Sequence, residues 1–209
     1  MKKKIYVIGG SPCGGKSTVA KEIAKEFGLR HFEADEYFEV CVRKAAADGK
    51  KQAIRQATIY GTEKWRKNPV LQTQEELALY REVFPYMLEE FEKIETTVIA
   101  EGVVFLPELV QEAFGEDIPY VCMIPKPMVQ RARYKERTWV WEVVKICESP
   151  KQAFCHWMER DVLFGQYVGR TASQRGIPVF YTDDTISIRE QKQKILDILG
   201  VTEGKLKKL

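Results

Sequence analysis

Residues 5 to 18 read Ile-Tyr-Val-Ile-Gly-Gly-Ser-Pro-Cys-Gly-Gly-Lys-Ser-Thr, a short apolar strand that runs directly into a glycine-rich loop. Gly10, Gly15, Lys16 and Ser17 fit the spacing G-x-x-x-x-G-K-[ST] of a phosphate-cradling loop, or P-loop. This chemistry needs backbone N–H groups that turn inward around an anion, which asks for positive φ angles that glycine permits. Lys16 is placed to reach the β- and γ-phosphates, and the Ser17 hydroxyl to ligate a bridging Mg²⁺. The expected nucleotide-binding segment is therefore Gly10, Ser11, Pro12, Cys13, Gly14, Gly15, Lys16, Ser17 and Thr18. Thr18 to Phe27 reads as a helix whose N-terminal dipole points at the phosphates. A glycine turn without a ligand is the alternative, and the strand before and helix after the motif favour the phosphate reading.

The rest of the chain sets bounds on this reading. At 209 residues it has the length of one domain with room for a core. The 33 Lys and Arg against 30 Asp and Glu leave a net charge of +3, which makes no strong field for nucleic acid. Lys2 to Lys4 and Lys205, Lys207 and Lys208 make both ends basic, most simply as solvated termini. Five cysteines without a C-x-x-C pair favour a reducing, cytoplasmic setting. The first apolar run is too short for a signal peptide, and nothing approaches the length of a membrane span.

Strands and helices alternate, which argues for a mostly parallel sheet covered on both faces. The expected strands are 5–8, 29–33, 96–100, 120–124 and 176–181. Helices are expected over 36–47, 52–67, 74–94 with an interruption or bend near Pro85, 151–175 and 187–199. The basic and aromatic stretch from Arg131 to Glu148 has poor periodicity. In such sheets ligands collect at the carboxyl ends of the strands. Besides the P-loop, that rule singles out Glu33 and Asp35 after the second strand and Glu101 with Gly102 after the third. Carboxylates beside a triphosphate have a use: one accepts the proton of an attacking hydroxyl, and others hold Mg²⁺ directly or through water. Asp35 also suits a helix N-cap. His31 and His156 are isolated, without metal-ligand spacing, and read as structural.

On these residues the chain resembles the P-loop kinases of the nucleoside and nucleotide kinase group, with the shikimate, gluconate and uridine kinases. Residues 9 to 18 are similar to their P-loop, and Glu33-Ala34-Asp35 sits where shikimate- and gluconate-type kinases carry an acid-x-acid motif. Residues 98 to 105, Val-Ile-Ala-Glu-Gly-Val-Val-Phe, resemble the strand-three Glu-Gly segment of uridine-kinase-like enzymes. Two departures stand out: Glu33 replaces the usual Asp, and an unfamiliar Thr-Asp-Asp-Thr, residues 182 to 185, follows the last strand.

The resemblance implies a single α/β domain over 1–209, the three-layer P-loop NTPase fold with a parallel five-stranded sheet flanked by helices. It implies helical inserts for the acceptor at about 37–70 and for a lid at about 131–150. ATP and Mg²⁺ are the implied cofactors, with Ser17, Glu33 and Glu101 as the metal set and Lys16, Asp35, Arg131 and Arg137 as the catalytic set. Arg133 and Lys135 are further lid cations, and a closing lid would stabilise the transferring phosphoryl group and exclude water. Asp35, Tyr37, Arg55, Gly102 and Arg160 are the candidate acceptor residues. Phe38, Arg43, Tyr60 and Trp65 offer further rings and guanidinium groups in the insert, where inward packing of a helical hairpin is an equal alternative. Trp139, Trp141 and Trp157 read as lid packing.

The implied activity is phosphoryl transfer from a nucleoside triphosphate to a nucleoside, nucleotide or hydroxyl-bearing metabolite. The protein would be a monomer or homodimer without nucleic-acid or membrane partners. The alternatives are a P-loop ATPase, which would show a strand ending in Asp or Asp-Glu, and a regulator without turnover, which would show a degraded P-loop. Here the third strand ends in Glu-Gly and the loop is intact.

Overall fold

The structure is a computed structural model, and it describes residues 3–58 and 62–201. Tyr60 and the terminal lysines at 2, 205, 207 and 208 lie outside the described residues. β1 (Ile5–Gly10) occupies the middle of a five-stranded sheet of order β2-β3-β1-β4-β5. Its neighbours are β3 (Val98–Glu101) and β4 (Tyr120–Pro125), with β2 (Arg30–Glu33) and β5 (Val179–Thr182) at the edges. Every pairing is parallel. The five strands expected from the sequence are all present, and the architecture is the helix-flanked P-loop NTPase fold.

Alternation along the strands divides the core between two faces. Val7, Phe32, Val98, Ala100, Tyr120, Cys122 and Ile124 belong to one apolar cluster with α2 (Ala34–Ala47), α5 (Pro69–Glu92) and α9 (Pro150–Gln174). Tyr6, Ile8, Ile99, Val121 and Met123 face the other way, onto α1 (Lys16–Phe27) and α10 (Ile188–Leu199). All five carboxyl ends share one edge of the sheet, and the chain crosses over β1 on its way from β3 to β4. The loop after β1 therefore sits at the centre of that edge.

The helices depart from the expected spans in ways the local chemistry explains. α5 starts at Pro69, with the Asn68 side chain accepting from the Val70 amide at 2.8 Å, and continues through Pro85 to Glu92 without interruption. The insert contains α3 (Lys51–Thr58) and α4 (Thr62–Arg66) where one polar helix was expected. Three short helices complete the set: α6 (Pro107–Phe114), which was not expected, and α7 (Pro127–Lys135) and α8 (Thr138–Val144), which form the helical lid expected at about 131–150. α6 and α7 each begin at a proline, whose missing N–H costs nothing in a first turn. α8 and its neighbours enclose a third apolar cluster, including Cys13, Trp65, Tyr134, Val140, Val144 and Trp157, which ties lid, insert and P-loop together.

Candidate active site

The loop after β1 is gripped from several sides. The Ser11 amide donates to the Met123 carbonyl on β4 at 3.1 Å. Gly10 has φ 122°, and a Cβ there would lie 2.0 Å from the Met123 carbonyl oxygen, so only glycine admits so close a backbone approach. The Thr182 hydroxyl donates to the Gly14 carbonyl at 2.8 Å, and Arg133 Nη1 to the Cys13 carbonyl at 2.8 Å. Cys13 has φ 63°, the one positive φ at a non-glycine residue among those described. Burial pushes its thiol pKa up. Gly15, with φ 87°, is the N-cap of α1 and makes no side-chain cap, so the first-turn amides of α1 are free for an anion.

Lys16 opens α1 and is 7% exposed. Its ammonium donates to the Ser11 carbonyl at 2.8 Å. Burial pulls its pKa down, and the charges of Glu101 and Asp35 push it back up. Glu101 ends β3 directly beside Glu33, its register partner at the end of β2. Burial pushes the Glu101 carboxyl up to about 7, against the pull of Lys16 and of a hydrogen bond from Ser17. Nearby Asp35 and Glu33 add to the rise. Asp35 is not the helix cap: α2 begins one residue earlier, its N-cap is Glu33, and Asp35 lies exposed in the first turn. Gly102 makes this approach of β3 to α2 possible, because a Cβ there would lie 2.6 Å from the Ala34 Cβ.

His31 stands on the same side of β2 as Glu33. Ligand atoms of His31, Glu33 and Glu101 lie within 4.8 Å of one another. Sequence spacing treated His31 as isolated, since the partner that completes the group is on another strand.

Arg137 is exposed, lies 5.4 Å over the Tyr134 ring, and exerts its charge on Cys13 and Lys16. Arg131 is exposed on α7. Arg133 links the P-loop to the segment after β5 through an ion pair with Asp184 at 2.9 Å. Asp184 and Thr182, both in the unfamiliar Thr-Asp-Asp-Thr, thus belong to the framework of the site.

Of the candidate acceptor residues, Asp35 and Tyr37 lie on α2, Arg55 on α3 and Arg160 on α9, while Gly102 follows β3. Tyr37 stacks on Phe32 at 4.7 Å, Phe38 meets Tyr80 edge-on at 5.8 Å, and buried Trp65 stacks on Trp157 at 4.3 Å. Trp141 stacks on Phe154 and Trp139 tilts toward Trp157. Arg43 pairs with Glu39 on the surface, and Arg55 with Glu75 at 2.6 Å. Arg160 is buried, with Nη1 2.8 Å from Glu76 and Nε 2.6 Å from Asp161. Glu76 also accepts from the Tyr80 hydroxyl at 2.7 Å, and Asp161 from the Tyr134 hydroxyl at 2.7 Å. Burial raises the Glu76 pKa, but Arg160 and Lys64 outweigh it and hold the carboxyl down at about 2. At Asp161 burial wins and the pKa rises, despite Arg160 and Tyr134.

The donor set fits the cofactors that the motif implies. Uncapped amides and a buried ammonium suit a polyphosphate, while the Ser17 hydroxyl with the Glu33 and Glu101 oxygens suits a hard cation such as Mg²⁺. Among the described residues no helix is long and apolar enough to cross a membrane.

No protein-family model matches the sequence, and no curated protein does. Among solved structures, the chain is similar to TT1252 from Thermus thermophilus, with TM-score 0.50, 14% identity and coverage of 97% of this chain and 100% of that one. It is also similar to shikimate kinase from Acinetobacter baumannii in complex with shikimate, at TM-score 0.48 and 17% identity over 95% and 93% of the two chains. A gluconokinase from Sinorhizobium meliloti matches at TM-score 0.49 and 14% identity over 95% and 91%. At these identities the likeness is one of fold.

Proposed function

We propose that the protein is an ATP- and Mg²⁺-dependent kinase of a small hydroxyl- or phosphate-bearing metabolite. The observation that carries this reading is the convergence of Lys16, Glu101 and Asp35 at one strand edge, with Asp35 left exposed beside the P-loop. A phosphoryl acceptor needs a carboxylate open to it, and Asp35 supplies one. In this reading the P-loop amides and Lys16 bind the triphosphate. Bound Mg²⁺ neutralises charge on the phosphates, and Ser17, Glu33 and Glu101 would hold it.

Asp35 takes the proton of the acceptor hydroxyl as that oxygen attacks the γ-phosphorus, and the nucleoside diphosphate departs. Arg131 and Arg137 add positive charge from the lid, so that catalysis is placement and electrostatics. Tyr37 and Gly102 border the acceptor space. An acceptor anion that engaged Arg55 or Arg160 would have to compete with Glu75 or Glu76.

The test is a thermal-shift series with MgATP or a non-hydrolysable analogue, followed by a panel of nucleosides, sugars and hydroxy acids. A ligand at a hundred times its Kd adds about 2.7 kcal/mol of stability. Increments from both ligands are expected. Stabilisation by nucleotide alone, together with ATP hydrolysis that no panel member accelerates, would replace the kinase with an ATPase. Asp35→Asn is expected to keep nucleotide binding and lower turnover at least about a hundredfold; unchanged turnover removes Asp35 from the mechanism.

A further inference from the structure

The strand register does something at the end of β2 that the P-loop chemistry does not require. Glu33 and Glu101 are Cα partners on adjacent parallel strands, so their side chains leave the same face of the sheet. His31, two residues before Glu33, points to that face as well, beside Ile99, which is buried under α1. His31 Nε2 is buried and has no hydrogen-bond partner among the described residues. A buried imidazole nitrogen left unpaired costs free energy, and a ligand that accepts its lone pair recovers it. β2 is an edge strand, and His31 and Glu33 are half-buried, so the group lies beside solvent with Glu101 buried behind it.

We propose that His31, Glu33 and Glu101 form a mixed nitrogen and oxygen site that binds a divalent transition-metal ion in preference to Mg²⁺. The three ligand atoms lie within 4.8 Å of one another. Donors around one ion at bond lengths of about 2.1 Å stand about 3 to 4.2 Å apart, so side-chain rotation of about 1 Å closes the set. Mg²⁺ favours oxygen ligands and a largely hydrated octahedron, whereas imidazole suits transition metals. Two carboxylates with one imidazole leave coordination positions open toward Ser17, whose hydroxyl already bonds Glu101. The site takes the two carboxylates that the kinase reading gives to Mg²⁺, so it changes which ion Glu33 and Glu101 hold, leaves the roles of the P-loop and Asp35 as they stand, and needs no nucleotide.

The test uses nucleotide-free protein and Mn²⁺, whose six-line electron paramagnetic resonance signal in water disappears on binding and which competes weakly for the exposed Cys155 thiol. Wild-type protein should take up one Mn²⁺ with a Kd below about 0.1 mM, retained in an equal concentration of Mg²⁺, and electron spin-echo modulation should show one directly bound ¹⁴N. His31→Gln should weaken uptake at least about tenfold and remove the ¹⁴N modulation. The spin-echo signature needs no variant, so a misfolded His31→Gln leaves the proposal open to refutation. Mn²⁺ bound without ¹⁴N modulation, uptake unchanged in folded His31→Gln, ready displacement by equal Mg²⁺, or no uptake without nucleotide each overturns it. These outcomes decide which ion Glu33 and Glu101 hold; transfer to an acceptor is tested separately by the acceptor panel.

Discussion

Replacing Arg160 with methionine keeps an unbranched side chain in the space between α5 and α9 but withdraws the positive charge from two carboxylates. Arg160 is 2.8 Å from Glu76 and 2.6 Å from Asp161, and the three side chains are only 7%, 15% and 2% exposed. Breaking a buried pair from one side costs about 3–5 kcal/mol, because Asp161 is then left without water or counter-ion and Glu76 with only the Lys64 ammonium, 3.6 Å away. For a chain of this length each kcal/mol moves Tm by about 2–4 °C, so Arg160→Met should melt roughly 6–20 °C lower.

The pH dependence identifies the cause. Glu76 has a folded pKa of about 2, below its ordinary value of 4.5. In the wild type its contribution is therefore present above pH 4.5 and is lost as pH falls toward 2. Without Arg160, burial is opposed only by Lys64 and the Tyr80 hydroxyl, so the Glu76 pKa rises and acidification neutralises a charge that the folded variant holds poorly. The stability gap between wild type and variant, measured by urea unfolding, should be largest at pH 7 and narrow at pH 5. A deficit under 1 kcal/mol at pH 7, or one of the same size at both pH values, would refute the account. Glu76→Leu added to Arg160→Met should recover part of the loss, and the double-mutant cycle measures the coupling.

Other consequences are simpler. Lys16→Met should abolish the thermal shift produced by MgATP while the nucleotide-free protein still unfolds cooperatively; a full-sized shift would take Lys16 out of nucleotide binding. Ser187→Ala removes the capping box that Ser187 forms with Glu190 at the start of α10 and should cost about 1 kcal/mol in urea unfolding. Gly10→Ala forces a Cβ against the Met123 carbonyl and should prevent recovery of cooperatively folding protein; a wild-type Tm would show that the loop relaxes.

Much of the fold was readable because its signals are local. The strand, glycine loop and helix of residues 5 to 27 announce themselves in one stretch, as do the apolar runs at 96–100 and 120–124. The α6, α7 and α8 helices span 8, 9 and 7 residues, too few for a periodic pattern to rise above chance. The same limit applies to the site. Lys16, Glu33, Asp35 and Glu101 follow from strand ends, but the pairing of Arg160 with Glu76, or of Thr182 with Gly14, joins elements far apart in the chain and leaves no mark on spacing. His31 illustrates the point most sharply, because its neighbour Glu101 is set by the register of two strands separated by the whole acceptor insert and α5.

The two outer strands carry one more consequence. β2 and β5 are only four residues long, and β2 exposes Arg30 together with half-buried His31 and Glu33. A neighbouring chain that tried to extend the sheet there would find few open amides and carbonyls, and would have to desolvate charged groups to reach them. The edge that holds the candidate ligands thus also protects the protein from templating its own aggregation.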